Sequence, residues 1–497
     1  MNRIGFAGWA FCAALSFARG QEPSAVAVAF ASGPRLTLSD AIRRALDENQ
    51  NIKVEAYAPA IARANWLTAM GQFDPALTFN RSYSLNDAPA AADPLIASKV
   101  KTDTYSVALQ GAMPWGLSYS VGGSAENQRG TFNHFTDEYV TFGGINLTQP
   151  LLRGFGFGAN LVNVRVARAN RSISEWQYRQ TLIDTVTNVI VAYSNLVLAH
   201  DELGVAISSR GLALTLLKES QQRLKAGSGA LSDVTTARAQ VAEREENILL
   251  AENAVRSTEN ELRELIGEKE FPPDQPLLAV AAFAPPEIVV NPSSDYQAAL
   301  TNRPDYQASR LGITIDRANS SATRNGLLPQ LNLVAGYGYN GLDHNFAASR
   351  HMVTSWDEPS SSIGVNVSIP ITNAQARGRA RAARLQLEQA EADLKRLEAD
   401  IAVSVANAGS QIETSRKRVV ADHVAHDLAS QALSDEVKKL RAGTSSTLSV
   451  IQAQQTLISV ENSVASALAA QRQAAAAYDR EIGNTLVRYN IALAGNK

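Results

Sequence analysis

Cysteine is almost missing from this chain, with Cys12 alone among 497 residues. It lies in the N-terminal segment, so the remainder can form no disulfide and offers no thiolate for catalysis or metal binding. Neither sign of charge is in excess: 46 Lys and Arg stand against 48 Asp and Glu, a formal net charge of -2. Without a basic surplus there is no global attraction for a nucleic-acid backbone, and no nucleic acid is expected as partner. Beyond the N-terminus no segment approaches the roughly 20 apolar residues of a spanning helix, which excludes an ordinary helical membrane protein but not a β-barrel. No Ser-His-Asp order, HExxH, P-loop or zinc ligand set is present, so neither enzymatic activity nor a cofactor is expected. Proline is absent between Pro150 and Pro272 and again after Pro370, although the chain holds 18. Because proline costs about 3 kcal/mol inside a helix, these windows of roughly 120 residues are where long helices fit.

The N-terminus reads as an export signal. Met1-Asn2-Arg3 is a short positive start, Ile4 to Phe17 an apolar run and Ala18-Arg19-Gly20 a small-x-small end. Residues 1–20 are therefore expected to be removed, with a second candidate cleavage site after Ala31 that sequence alone does not rank. The bulky Phe11 before Cys12 argues against a lipoprotein signal.

The rest is written twice. A shift of 254 superposes Arg63-Ala64-Asn65 on Arg317-Ala318-Asn319, Pro75 on Pro329 and Tyr83 on Tyr337. A shift of 216 superposes Leu224 to Gly227 on Leu440 to Gly443, Val234 on Val450 and Ile266-Gly267 on Ile482-Gly483. Between them, Gly144-x-Asn146 and Pro150 match Gly364-x-Asn366 and Pro370 at a shift of 220, so repeat one carries 34 extra residues among its strands. Coincidence at the turn and cap positions is what a duplicated unit retains. Repeat one spans 21–266 and repeat two 295–483, joined by a Pro-rich linker, 267–294, and followed by a short tail, 484–497. A length that by itself suggests about three domains is thus two copies of one unit.

Each repeat orders helix, strands, then a long helical hairpin. Leu182, Val189, Leu196 and Leu203 recur every seven residues, as do Val186, Tyr193, His200 and Ile207, and Leu387, Leu394, Ile401 and Ala408 do likewise in repeat two. These are coiled-coil-like seams. Roughly 60 residues from Asn163 to Leu224 predict a helix near 90 Å long, with Gly204 and Gly409 as weak points. The strands, at about 75–150 and 329–371, alternate. Leu331, Leu333, Ala335, Tyr337 and Tyr339 share one face, and Ile363, Val365, Val367 and Ile369 keep the same parity. A sandwich also alternates. Terminal tyrosines, strand lengths near the roughly 9–11 residues of a membrane strand, and the export signal favour a transmembrane sheet. Two strands from repeat two and two to four from repeat one fall below the roughly eight that close a barrel, and an open edge cannot face lipid. Several copies must share one barrel.

The doubled order, the matched tips Leu224 to Val234 and Leu440 to Val450, the Gln149-Pro150-Leu151-Leu152-Arg153-Gly154 strand exit and the Pro-rich linker resemble the TolC-like outer membrane efflux proteins. The likeness covers residues 36–483. It implies an α+β membrane protein: a homotrimer with a 12-stranded outer-membrane barrel, shared between protomers, continued by a periplasmic α-helical barrel. It further implies the exit duct of a tripartite efflux pump or type I secretion system, passive and gated at its periplasmic tips. Its partners would be a periplasmic adaptor, through that adaptor an inner membrane transporter, and outer membrane lipid. The 34 extra residues depart from the pattern and leave two readings, an outer hairpin between about Asn86 and Tyr139 or a wider barrel.

The resemblance assigns gating and adaptor docking to the tips, hence to Leu224, Gly227, Asp233, Val234, Leu440, Gly443, Ser449, Val450 and Gln452. Gly227 and Gly443 suit helix reversal, with Ser232 and Thr447 as expected caps. Ser449 and Gln452 stand where the family pattern carries pore-lining aspartates, so a strongly cation-selective entrance is not expected. Pro75, Pro150, Gly154, Pro329 and Pro370 mark strand–helix joints. Gly154-x-Gly156-x-x-Ala159 superficially fits a dinucleotide fingerprint, but a strand that alternates, and Asn373 in place of glycine in repeat two, favour a flexible joint. His423 and His426, beside Asp422, have metal-ligand spacing but more commonly form a solvated or interhelical pair. Arg377, Arg379, Arg381 and Arg384 give the second long helix a basic start, usually a wet face. A trimeric coiled-coil adhesin would explain the seams but not strands in both halves; a porin would explain the strands but not some 200 helical residues.

Overall fold

The computed structural model describes residues 35–87, 99–267, 277–279 and 288–491. The export segment with both cleavage candidates, most of the linker and the last six residues lie outside the described residues. In chain order, β1 (Arg35–Leu36) leads into α1 (Leu38–Glu48), α2 (Gln50–Glu55) and α3 (Tyr57–Met70). Strands β2 (Ala76–Asp87), β3 (Lys99–Ala112), β4 (Ser118–Gly130) and β5 (Tyr139–Pro150) follow, then α4 (Phe157–Asn160) and the long pair α5 (Val162–Lys225) and α6 (Leu231–Ile266). The second half supplies β6 (Leu278–Ala279), α7 (Pro292–Asn302), α8 (Pro304–Asn325), β7 (Gln330–Asp343), α9 (Phe346–Ser355) and β8 (Pro359–Ser368). It ends in α10 (Ala374–Arg441), α11 (Thr447–Glu481) and α12 (Thr485–Arg488). At 64 and 68 residues, α5 and α10 are the long helices that the proline-free windows predict.

Two compact units divide the chain. The first holds, of the described residues, 46–87, 99–188, 288–420 and 470–491 and contains an antiparallel sheet of order β2-β3-β4-β5-β7-β8. The extra residues of repeat one are not an appended outer hairpin. They are β3 and β4, in the sheet interior, with β3 bonded to β2 from Ala76↔Gln110 to Asp87↔Lys99 and β4 bonded to β5 from Ser118↔Thr148 to Asn127↔Tyr139. Alternation predicts a face for each residue but not a neighbour for each strand, which is why the outer hairpin remained open on sequence.

Register aligns the side chains into rows. Leu77, Leu109, Val121, Ile145 and Tyr337 lie side by side on one face, and Gln110, Ser120, Asn146, Gly336 and Ser362 on the other. The apolar face is bare in a single copy: Leu77 is 75% and Ile363 80% exposed. So large an apolar area is not left in water by a stable protein. Beside the sheet, Tyr306, Ile401, Val405, Ile412, Tyr478 and Ile482 form a helical core.

The other unit holds, of the described residues, 35–45, 189–267, 277–279 and 421–469. Val189, Leu196 and Leu203 of the predicted seam are buried in it. Tyr193 donates its hydroxyl to the Leu36 carbonyl at 2.9 Å, beside the parallel pairing of β1 with β6. His200 replaces an apolar seam residue without penalty, its Nε2 donating to the Leu277 carbonyl at 3.2 Å. The seam stops at Ile207, which is 42% exposed.

One expectation needs correction. One stretch of α5 does reach the hydropathy of a spanning helix, with a mean of 1.5, but 72% of it is buried within the protein. Neighbouring helices, rather than lipid, satisfy its apolar surface. Helix α10 runs through Gly409 unbroken, and a Cβ there would lie 2.8 Å from Val290, so the bare backbone is also a packing site.

Candidate functional site: helical tips and strand–helix joints

At the first tip α5 ends in a Schellman turn. Gly227 takes φ 75°, its N–H donates to the Leu224 carbonyl at 3.0 Å, and the Ser228 N–H donates to the Arg223 carbonyl at 3.0 Å. At the second, Gly443 takes φ 76°, its N–H donates to Leu440 at 3.1 Å, and Thr444 donates to Lys439 at 2.9 Å. Left-handed backbone at this cap is where glycine carries no Cβ penalty.

The returning helices are capped two positions before Ser232 and one before Thr447, the expected caps. Helix α6 starts after Ala230, whose N–H donates to the Asp233 carboxylate at 3.4 Å. Helix α11 starts after Ser446, whose hydroxyl accepts from the Ser449 N–H at 3.2 Å and meets the Ser449 hydroxyl at 2.9 Å. Ser232 and Thr447 therefore sit inside the first turns, with Thr447 buried. Sequence holds the signal for this: an acidic or hydroxyl residue three positions after the true cap, the reciprocal spacing of a capping box.

The nine tip residues divide by burial. Leu440 and Val450 belong to a core with Leu216, Leu433 and Leu457, and Val234 is likewise buried. Leu224 is half-buried. Gly227, Gly443 and Gln452 are exposed, Asp233 and Ser449 partly so. The ends of α5 and α10 enclose a cavity of about 520 Å³, lined by Glu219, Arg223, Ser228 and Arg441. Arg441 bridges it to Glu219. On the same tip, hydrogen bonds from Ser445 and from Lys439 at 3.2 Å hold the Glu436 carboxylate below its ordinary range. The tip is polar and ionic at its surface and apolar beneath.

At the joints, Pro75 precedes β2, Pro329 precedes β7, Pro150 is the last residue of β5 and Pro370 lies just past β8. A residue without an N–H ends a ladder at no cost in hydrogen bonds. Gly154 and Gly156 take φ 84° and 85°. The Gly154 N–H donates to Asn325 at 2.8 Å, the Gly156 N–H donates to the Trp115 carbonyl at 3.0 Å, and Asn160 donates to both glycine carbonyls. The Gly-x-Gly-x-x-Ala segment is thus clamped into a joint, opening the four-residue α4. In repeat two Asn373 makes the bend, at φ 44°, and donates to the Leu327 carbonyl at 3.1 Å. The anchors Asn325 and Asn373 are not legible in sequence, because their partners lie more than 40 positions away.

His426 contacts Asp427 at 3.2 Å and faces Glu461 at 4.0 Å, an interhelical pair, and burial pushes Glu461 upward. Among the described residues no group of three or more His, Cys, Asp and Glu could hold a metal. Arg377, Arg379, Arg381 and Arg384 are all exposed, with Arg384 paired to Glu388 at 2.8 Å.

A sheet with one apolar and one polar face, continued through proline joints into doubled helical hairpins, defines a β-sheet membrane protein with long helical extensions. The chain belongs to the outer membrane efflux protein family, whose pattern matches residues 41–268 and 296–484. It is 25% identical over 224 residues to the outer membrane protein TolC of Vibrio cholerae, covering 45% of this chain and about half, 49%, of that relative. It is 26% identical over 331 residues to the outer membrane efflux protein BepC of Brucella suis, covering 65% of this chain and 68% of that relative. The solved outer-membrane channel OprN shares the fold at a TM-score of 0.69 and 18% identity, over 90% of both chains.

Proposed function

We propose that this chain is a passive exit duct of a tripartite efflux pump or type I secretion system, assembled as a homotrimer in the outer membrane. The observation that carries the reading is the sheet, which among the described residues has six strands, a bare apolar face, a polar reverse, and two edges, β2 and β8, without a partner strand. Six strands fall below the roughly eight of the smallest closed barrel, and lipid tolerates no unpaired edge, so edge must meet edge of another copy. Three copies would make a barrel of eighteen strands rather than the twelve of the resemblance, a size that leaves an aqueous channel. The polar tips, with Gly227, Asp233, Gly443, Ser449 and Gln452 at or near the surface, suit a periplasmic gate and adaptor contact. Leu224, Val234, Leu440 and Val450 hold the hairpins that carry it. The adaptor would couple the duct to an inner membrane transporter. The prolines and Gly154 would set the angle between strands and helices. No catalytic step is assigned to any residue.

Native mass spectrometry of the detergent-extracted protein tests the assembly, and a trimer is expected. A stable monomer in the outer-membrane fraction would overturn it.

A further inference from the structure

Helix α9 occupies a place that neither the strand pattern nor the proposed duct accounts for. It lies between β7 and β8 and folds back against the sheet. Ser349, fully buried, donates its hydroxyl to the Tyr139 carbonyl at 2.9 Å and meets the Thr141 hydroxyl at 2.7 Å. Gly341 admits this approach, since a Cβ there would lie 2.0 Å from the Ser349 carbonyl oxygen. Phe346 packs on Tyr139, and Trp356 packs on Tyr339 at 4.7 Å between ring centres.

Register shows which face is covered. Thr141 pairs with Gly341 in the row that continues through Ala125, Tyr105 and, at the edge strand, Arg81, and Gly143 pairs with Tyr339 in the row that continues through Gly123, Val107 and Phe79. These are rows of the apolar face, so α9 sits on the side that meets lipid. It lies at the end remote from the proline joints, where Tyr105, Tyr139, Tyr337, Tyr339 and Trp356 gather as an interfacial aromatic girdle does.

Between α9 and the sheet is a cavity of about 420 Å³, within the roughly 300–1,000 Å³ of ligand sites. Phe79, Val107 and Gly123 floor it, and Phe346 and Val353 wall it. Arg350 is the one charged residue lining it, is exposed, and has no ion pair among the described residues. An apolar slot opening on the membrane face, with a free guanidinium at its rim, complements one chemistry: an acyl chain attached to an anionic head. Guanidinium matches phosphate in a bidentate fork. A second copy pairing at the β2 or β8 edge would not fill a slot that lies mainly over β3, β4 and β5.

We propose that α9 and the rows beneath it form a binding site for an acyl chain of a phosphate-bearing membrane lipid in the outer leaflet. The site rests on the reading that the apolar face meets the bilayer.

The test uses the full-length protein in nanodiscs, with two probes carrying the same diazirine-labelled acyl chain, phosphatidylglycerol and diacylglycerol. Photolabelled peptides are mapped by mass spectrometry. Labelling should concentrate on β3, β4 and α9, roughly tenfold stronger with the phosphate-bearing probe, as a charge-assisted hydrogen bond provides. Arg350→Ala, at an exposed position, should bring the two probes level, and Val107→Trp should block both. Wild-type labelling spread evenly along the apolar face, or equal for both probes, overturns the site while leaving the membrane reading intact. Absence of label from every strand overturns the membrane reading itself.

Discussion

Gly227 and Gly443, 216 positions apart, adopt the same left-handed backbone, φ 75° and 76°, and close the same pair of hydrogen bonds over Leu224 and Leu440. The two tips are one structure used twice. A substitution should therefore act alike at either.

Gly443→Val is expected to cost about 1–2 kcal/mol locally, the penalty of placing a β-carbon in left-handed backbone. No heavy atom crowds that position, so conformation alone is at stake. Limited proteolysis should show faster cleavage near residues 441–446 with the sheet protected. A cleavage rate equal to wild type would mean that the turn does not depend on its glycine.

Residues 99–130 hold two of six strands, and their removal would bring β2 beside β5 with the same alternation and opposite direction. Barrel diameter scales roughly with strand number, so single-channel conductance of the deletion should fall to about half. Unchanged conductance would show that β3 and β4 do not line the pore.

Ser449 occupies the helix position that Asp233 occupies in repeat one, three residues past the cap. Ser449→Asp should raise the cation preference of single channels. It should also stabilise the start of α11 by about 0.3–1 kcal/mol, since a carboxylate there faces the positive helix end. Unaltered selectivity would place residue 449 away from the pore.

Asp479 is buried against Arg488, and burial pushes its carboxyl above the ordinary range although the guanidinium opposes this. The folded chain then keeps the proton to higher pH than the unfolded chain. Between those two pKa values the unfolded state binds fewer protons, so this residue's contribution to stability falls as pH rises. Thermal unfolding from pH 3 to 8 should show that slope, and Asp479→Asn should flatten it. An identical profile in the variant would remove Asp479 from the pH response.

Much of this protein is determined by local sequence. Proline-free windows define α5 and α10, the prolines at 75, 150, 329 and 370 mark strand ends, and the seven-residue seam through Val189 and Leu196 marks the buried helix face. Each depends on covalent geometry or periodicity within a few residues, which is why it can be read without coordinates. Tertiary structure decided the rest. Only pairing across the sheet places β3 and β4 inside it, and only the approach of Gly341 to Ser349 puts α9 on the apolar face. Asn325 reaches the joint at Gly154 from the other repeat. Such contacts join residues far apart in the chain, where register and close packing select one arrangement among several that the same alternation permits.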